Sequence, residues 1–288
     1  MSGKIDESLR QRILQFINEA LAEDVGAGDF TSEATIPADK RDTARLLVKD
    51  VGILAGVEVA KMIFKHLDPT MEFDQRMNDG DYMHVGDEAF YVTCNSRALL
   101  QGERLVLNTM QRMSGIATLA NRYAFEVEDL PVKVLDTRKT TPNLRFLEKW
   151  AVRLGGAHNY RDGLYDRIMI KDNHVDAAGS LTKAIEGVQS FFAENDMRLP
   201  ITVEVRNLVE LMEVLEVGQV DRIMLDNFEI PLLREAVAHV GDRFETEASG
   251  GITLESIREV AETGVDFISV GALTHSAVSL DLSLKVVK

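Results

Sequence analysis

Residues 201–226 read ITVEVRNLVELMEVLEVGQVDRIMLD. Two short β-branched and apolar runs, ITVEV and RIMLD, flank a segment from Leu208 to Val217 whose apolar residues recur at helical spacing. Short apolar runs bounded by polar turns are the pattern of buried strands, so the stretch is a strand, a helix and a second strand. A helix that carries the chain back across a sheet makes the two strands parallel.

The same alternation extends in both directions. VKVLD, RIMIK, FETEAS and DFISV are further strand-like runs, and the set ends near positions 136, 171, 205, 226, 248 and 270. Helical patterns at 231–240 and 254–263 separate the later ones. A repeat of about 22 residues is tight and favours a sheet curled into a barrel, with an open doubly wound sheet as the alternative. Residues 1–115 read differently. An amphipathic helix carries Leu9, Ile13, Phe16, Ile17 and Ala20 on one face; then come an extended RLLVKDVGILAG, a helix around 57–67, and turn-rich NDGD and VGD among short strands. This is an α+β domain. Residues 97–127 carry two helical patterns broken near Ser114-Gly115, which places the domain junction there. The barrel domain is then 116–276, and the tail 277–288 can return to the first domain.

Composition sets the function classes. With 288 residues, 45% of them hydrophobic, the chain can bury the core of one or two soluble domains. One cysteine, Cys94, excludes an internal disulfide framework and fits a reducing compartment. No apolar run approaches membrane-spanning length, and the acidic N-terminal helix is unlike a signal peptide, so a cytoplasmic protein without membrane attachment is expected. A net charge of −15 leaves no basic face for nucleic acid. Yet Asp136 to His174 holds eight Lys/Arg against five Asp/Glu, or +3, so the remainder carries −18. Positive charge concentrated in one segment suits a small anionic ligand.

In a parallel β/α barrel the strand interiors fill the core and chemistry gathers in the loops after the strands. Those positions carry Arg138 and Lys139, then Lys171, Glu204, Asp226, Ser249-Gly250-Gly251 and Gly271-Ala272. Each alone is as readily a solvated loop residue. Jointly, two carboxylates from different strands suit a hard divalent ion such as Mg²⁺, which keeps waters and takes ligand phosphates. Glycines let backbone N–H groups approach a ligand, and loops after the last barrel strands recur as phosphate sites. Together with Lys139 and Lys171, they imply a phosphorylated substrate.

The run DTRKTTPNLRFLEKWAVRLGGAHNYRDGLYDRIMIKDNH, residues 136–174, resembles the signature of the quinolinate phosphoribosyltransferases. EDVGAGDFTSEATIP, SRALLQGERLVLNTMQRMSGIAT, VEV, LDN, EASGGI and VGALTHS are similar to further motifs of that family, in its order and over nearly the whole chain. The resemblance implies an N-terminal α/β sandwich domain and a C-terminal incomplete parallel α/β barrel. It also implies a homodimer in which one subunit's N-terminal domain covers the other's barrel mouth. The implied reaction joins quinolinate to phosphoribosyl pyrophosphate, with Mg²⁺, giving nicotinate mononucleotide, pyrophosphate and CO₂ in NAD synthesis. By position, Arg138, Arg161 and, across the dimer, Arg104 would bind the quinolinate carboxylates, which a guanidinium fork suits. Lys139 and Lys171 would lie between the substrates. Glu204 and Asp226 would hold ribose hydroxyls and the Mg²⁺-pyrophosphate. Ser249, Gly250, Gly251, Gly271, Ala272 and His275 would line the phosphate end. One position departs from the family: where it usually has His before the Arg, this chain has Tyr160, whose hydroxyl can still donate to a carboxylate. Three other readings compete: a paralogue acting on another anionic ring, a non-catalytic phosphometabolite-binding relative, and a barrel aldolase using Lys171 as a Schiff-base amine. The three arginines and the two carboxylates favour the transferase.

Overall fold

Two units make up the chain in this computed structural model, which describes residues 5–287. The first comprises Met1–Asn121, Thr141–Gly156 and Ser276–Lys288. Its early strands are Arg41–Val48 (β1), Gly52–Ile53 (β2), Glu72–Gln75 (β3), Tyr82–Met83 (β4) and Glu88–Asn95 (β5). β1 and β3 flank β5 in one antiparallel sheet, and β2 pairs with β4. Ala44, Leu46 and Val48 of β1 and Phe90, Val92 and Cys94 of β5 are all fully buried, a period of two that turns one face of the sheet to the core. Cys94 is thus a small apolar residue, and burial pushes its thiol up to about 11. Helix Val57–Leu67 buries Val59, Ala60, Ile63 and Phe64, and Phe64 meets Phe90 edge-on at 6.5 Å. Gly56 cannot cap that helix, so Asp79 does, accepting from the amides of Gly56, Val57 and Glu58 at 2.5, 2.8 and 3.3 Å.

The N-terminal amphipathic pattern forms helix Glu7–Val25, with Ile13 and Ile17 fully buried. The break expected at Ser114-Gly115 is absent: residues Ser96–Phe125 form one helix. The two small residues serve close approach instead. The Ser114 hydroxyl accepts from the Ala55 amide at 3.0 Å and donates to its carbonyl at 3.3 Å, and a Cβ on Gly115 would lie 2.0 Å from the Val278 carbonyl oxygen. A glycine costs a helix interior about 1 kcal/mol, and a backbone contact that no side chain could accommodate explains its presence.

The second unit, Arg122–Thr140 and Ala157–His275, carries the parallel strands. They are Lys133–Leu135 (β6), Ile168–Ile170 (β7), Ile201–Val205 (β8), Arg222–Asp226 (β9), Glu245–Ser249 (β10) and Phe267–Ser269 (β11), each ending within one residue of its expected position. Their spatial order is β6-β11-β10-β9-β8-β7, so the two ends of the sheet do not pair and the barrel is incomplete. Beyond β6, among the described residues, the sheet continues as an isolated bridge between Leu135 and His158. Helices Leu208–Val217 and Ile230–Val240 follow the sequence pattern, whereas Ile257–Ala261 is shorter than expected. Strand Leu282–Val286 (β12) lies back in the first unit, antiparallel to β1 with Leu284 opposite Leu46. Among the described residues no helix is long and apolar enough to cross a membrane.

Candidate active site

Parallel pairing at fixed register sends every second residue of these strands to the same side. The rows Arg222, Met224, Asp226 on β9 and Glu245, Glu247, Ser249 on β10 lie side by side, since Arg222 pairs with Glu245 and Asp226 with Ser249. Their deep ends are not the apolar filling expected of strand interiors. Arg222 holds Glu247 at 3.0 Å and Glu245 at 2.9 Å, and its guanidinium lies 3.6 Å from the centre of the Phe267 ring. Glu247, wholly buried, also accepts from the Ser269 hydroxyl. A buried charge is tolerable only when paired and hydrogen-bonded, and these three groups satisfy one another.

The outer ends of the rows open into a cavity of about 860 Å³ beyond the carboxyl ends of the strands. Every residue singled out at a strand end lines it, together with Tyr160, Arg161 and His275. Arg104 does not; it is exposed on helix Ser96–Phe125 of the first unit. Cations occupy one part of the wall. Arg161 donates to the carbonyl of Arg167 at 3.3 Å, and burial followed by the neighbouring charge of Arg138 lowers its hold on its proton. The Nε of Arg138 is buried without a hydrogen-bond partner among the described residues. An unsatisfied donor beside a second guanidinium is costly unless an anion completes it. Lys139 is exposed, but its backbone is anchored: the Thr274 hydroxyl donates to its carbonyl at 2.8 Å, and its own amide donates to Thr137 Oγ1 at 3.1 Å.

The carboxylates stand on neighbouring strands. Glu204, 9% exposed, pairs with Lys171 at 2.5 Å, and Lys171 sits at the head of helix Asp172–Ala178, where its amide donates to His174 Nδ1 at 3.0 Å. Asp226 has no ion-pair partner among the described residues and accepts from the Asn227 side chain at 2.7 Å. Beside it, after β10, lies the turn Gly250-Gly251, with φ of 96° and 61°, a conformation that glycine alone adopts freely. A Cβ on Gly271 would come within 3.0 Å of the Lys139 side chain and 3.2 Å of His275, so that glycine keeps the last wall low.

Tyr160 is among the residues that line the cavity, but its hydroxyl is directed elsewhere. It donates to Thr202 Oγ1 at 2.8 Å, Arg167 donates to the same oxygen at 3.0 Å, and the Tyr160 amide donates to the buried Asp136 at 2.7 Å. The expectation that the phenol faces a ligand carboxylate therefore gives way to one in which it braces the barrel interior. The physical reason is polar satisfaction: Thr202, fully buried in β8, takes the hydroxyl. Sequence reasoning missed Asn227, Ser269 and Thr274, although LDN and VGALTHS contain two of them. Short polar residues beside the expected ones carry no periodic signal of their own.

Residues 29–114 match the family described as Quinolinate phosphoribosyl transferase, N-terminal domain, and residues 116–285 match its C-terminal domain. A nicotinate-nucleotide pyrophosphorylase [carboxylating], chloroplastic, from Arabidopsis thaliana is 46% identical over 285 residues, covering 94% of this chain and 81% of that protein. A probable nicotinate-nucleotide pyrophosphorylase [carboxylating] of Bacillus subtilis is 42% identical over 275 residues, covering 96% and 93%. The solved nicotinate-nucleotide pyrophosphorylase of Francisella tularensis superposes with a TM-score of 0.90 at 34% identity, over 100% of both chains.

Proposed function

Because the chain belongs to the quinolinate phosphoribosyltransferase family, we propose that its cavity seats quinolinate at the arginine end and phosphoribosyl pyrophosphate along the carboxylates and glycine turns. It transfers the phosphoribosyl group from phosphoribosyl pyrophosphate to quinolinate with loss of CO₂, giving nicotinate mononucleotide and pyrophosphate for NAD biosynthesis. The observation that carries the seating is that Arg138 and Arg161, close enough for one charge to act on the other, both line the cavity. Two guanidiniums facing one cavity match a ring with two adjacent carboxylates.

The pyridine nitrogen attacks ribose C1 as the bond to pyrophosphate breaks, so positive charge develops on the sugar and negative charge on the leaving group. Asp226, which has no cation partner among the described residues, is the carboxylate we assign to the sugar, while Glu204 shares its charge with Lys171 and takes ribose hydroxyls. Lys139 and the amides around Gly250, Gly251, Gly271 and Ala272 receive the phosphate oxygens, with Ser249 and His275 at the same end. No protein nucleophile is needed. Lys171, ion-paired to Glu204, has the arrangement of a charged ligand contact and not of a Schiff-base amine. After transfer the ring nitrogen is cationic, and its charge stabilises the electron pair left on the adjacent C2 when the 2-carboxylate departs as CO₂; C2 then takes up a proton.

Mg²⁺ fits this site as a companion of the pyrophosphate. Among the described residues no cluster of three His, Cys, Asp or Glu could hold an ion unaided, so Glu204 and Asp226 would hold it together with phosphate oxygens and water. Bound there, the ion supplies charge neutralisation for the leaving group. Arg104, exposed on its helix, is assigned to the partner subunit's site in a homodimer. The cytoplasm is the proposed compartment, supported by the single buried cysteine; the plant relatives are named chloroplastic or mitochondrial. Nicotinate mononucleotide formation from quinolinate, dependent on phosphoribosyl pyrophosphate and Mg²⁺ and absent with nicotinic acid, tests the reaction. Mixing Arg104→Ala with Lys139→Ala protein tests the shared site: verified hybrid dimers regain partial activity, and none if each site is formed by one chain.

A further inference from the structure

We propose that Asn227 is a positioning residue that holds the Asp226 carboxylate in a fixed orientation and keys it to the turn Gly250-Gly251; this rests on the assignment of Asp226 to the sugar. Asn227 follows β9 directly and has φ of 56°, in the left-handed region where a side chain is a burden that glycine would not carry. The side chain is put to use. Its Nδ2 donates to Asp226 Oδ2 at 2.7 Å, while its own backbone amide donates to the Ser249 carbonyl at 2.8 Å. That second bond extends the β9–β10 pairing one residue past the strands and brings the Asn227 side chain over Gly250. A Cβ on Gly250 would lie 2.2 Å from Asn227 Oδ1, so residue 250 has room for no side chain at all.

The donor's chemistry matters as much as its place. Glu204 is oriented by the ammonium of Lys171, which also cancels its charge. Asp226 is oriented by a neutral amide, which fixes the plane of the carboxylate without cancelling its charge, so that charge remains for the sugar and the Mg²⁺-pyrophosphate. One oxygen is engaged and the other stays available to the ligand. Of the two carboxylates at the cavity, one is therefore held by a cation and the other by a neutral donor.

Asn227→Gly tests this cleanly, because glycine adopts the same backbone conformation without strain and only the amide is lost. The melting temperature should be unchanged or higher. The kcat/KM for phosphoribosyl pyrophosphate should fall by about 10- to 100-fold, as for a lost hydrogen bond to a charged acceptor, with the affinity for quinolinate alone unchanged. Asn227→Asp, which removes the donor and sets a second carboxylate against Asp226, should be worse. The decisive comparison is Asp226→Asn with and without Asn227→Gly. If Asn227 acts through Asp226, the double variant is no slower than Asp226→Asn alone. Additive losses, or an Asn227→Gly enzyme within twofold of wild type, overturn the proposal. A wild-type protein that forms no nicotinate mononucleotide would instead refute the transferase reading, whatever the variants show.

Discussion

Replacing Tyr160 by phenylalanine separates a structural role from a substrate contact at the position where this chain departs from its family's usual histidine. The change deletes a single oxygen. In the structure that oxygen donates its only proton to Thr202 at 2.8 Å, and burial pushes the phenol far above its ordinary range, so it stays a neutral donor. A neutral hydrogen bond contributes about 0.5–1.5 kcal/mol net. Thr202 is not orphaned by the loss, since Arg167 still donates to it at 3.0 Å, which keeps the cost toward the lower end. The ring itself remains, and with it the Arg167 and Arg222 guanidiniums at 5.6 and 5.3 Å from its centre. Destabilisation of roughly 1 kcal/mol in a chain of this size lowers the melting temperature by about 2–4 °C. Quinolinate affinity, read by calorimetric titration, should stay within about twofold of wild type, because the hydroxyl proton is already committed. Had the phenol bonded a substrate carboxylate, its loss would cost about 1.5–3 kcal/mol and weaken binding by roughly 10- to 150-fold. An affinity loss of that size with an unchanged melting curve would refute the placement of Tyr160 as an interior brace.

Three further outcomes are expected. Glu204→Gln keeps the shape of the side chain and removes its charge, so turnover should fall by at least about 100-fold while quinolinate affinity measured without the second substrate changes little. Glu247→Ala leaves Arg222 buried with only the half-exposed Glu245 as partner, and denaturant titration should show a loss of about 3–5 kcal/mol. Asp68 is pushed upward by burial, but the hydroxyl and amide of Thr70, the amide of Asn95 and the guanidinium of Arg41 outweigh this and hold it at about 2. Its folded value lies below its unfolded one, so it stabilises the fold above a pH of about 4, and that contribution disappears as pH falls toward 2. Unfolding of Asp68→Asn should accordingly show a shallower acid limb than wild type, and parallel limbs would count against the assignment.

Periodicity alone determined the parallel strands of the second unit and their order along the chain. ITVEV and RIMLD announce two buried strands and the segment between them a helix, because burial on a sheet or helix face is a local, repeating demand that each residue answers separately. The ends of those strands could be named as the site for the same reason, since parallel β/α order puts all the following loops on one face. Partner choice inside the unit was not legible. Nothing in the neighbourhood of Tyr160 indicates that its hydroxyl belongs to Thr202, 42 residues away, or that Arg222 and Glu247 pair in the interior of the sheet. Ser114-Gly115 reads as a helix break because glycine is a poor helix former, yet the helix continues, since packing against Ala55 and Val278 outweighs the local preference. Gly250 shows the same limit: a pair of glycines in sequence is a turn, and the approach of Asn227 from the neighbouring strand, added to a φ of 96°, leaves no room for a side chain there. Propensity acts along the chain over a few residues, whereas hydrogen-bond satisfaction and steric exclusion act between segments that meet only when the sheet has formed.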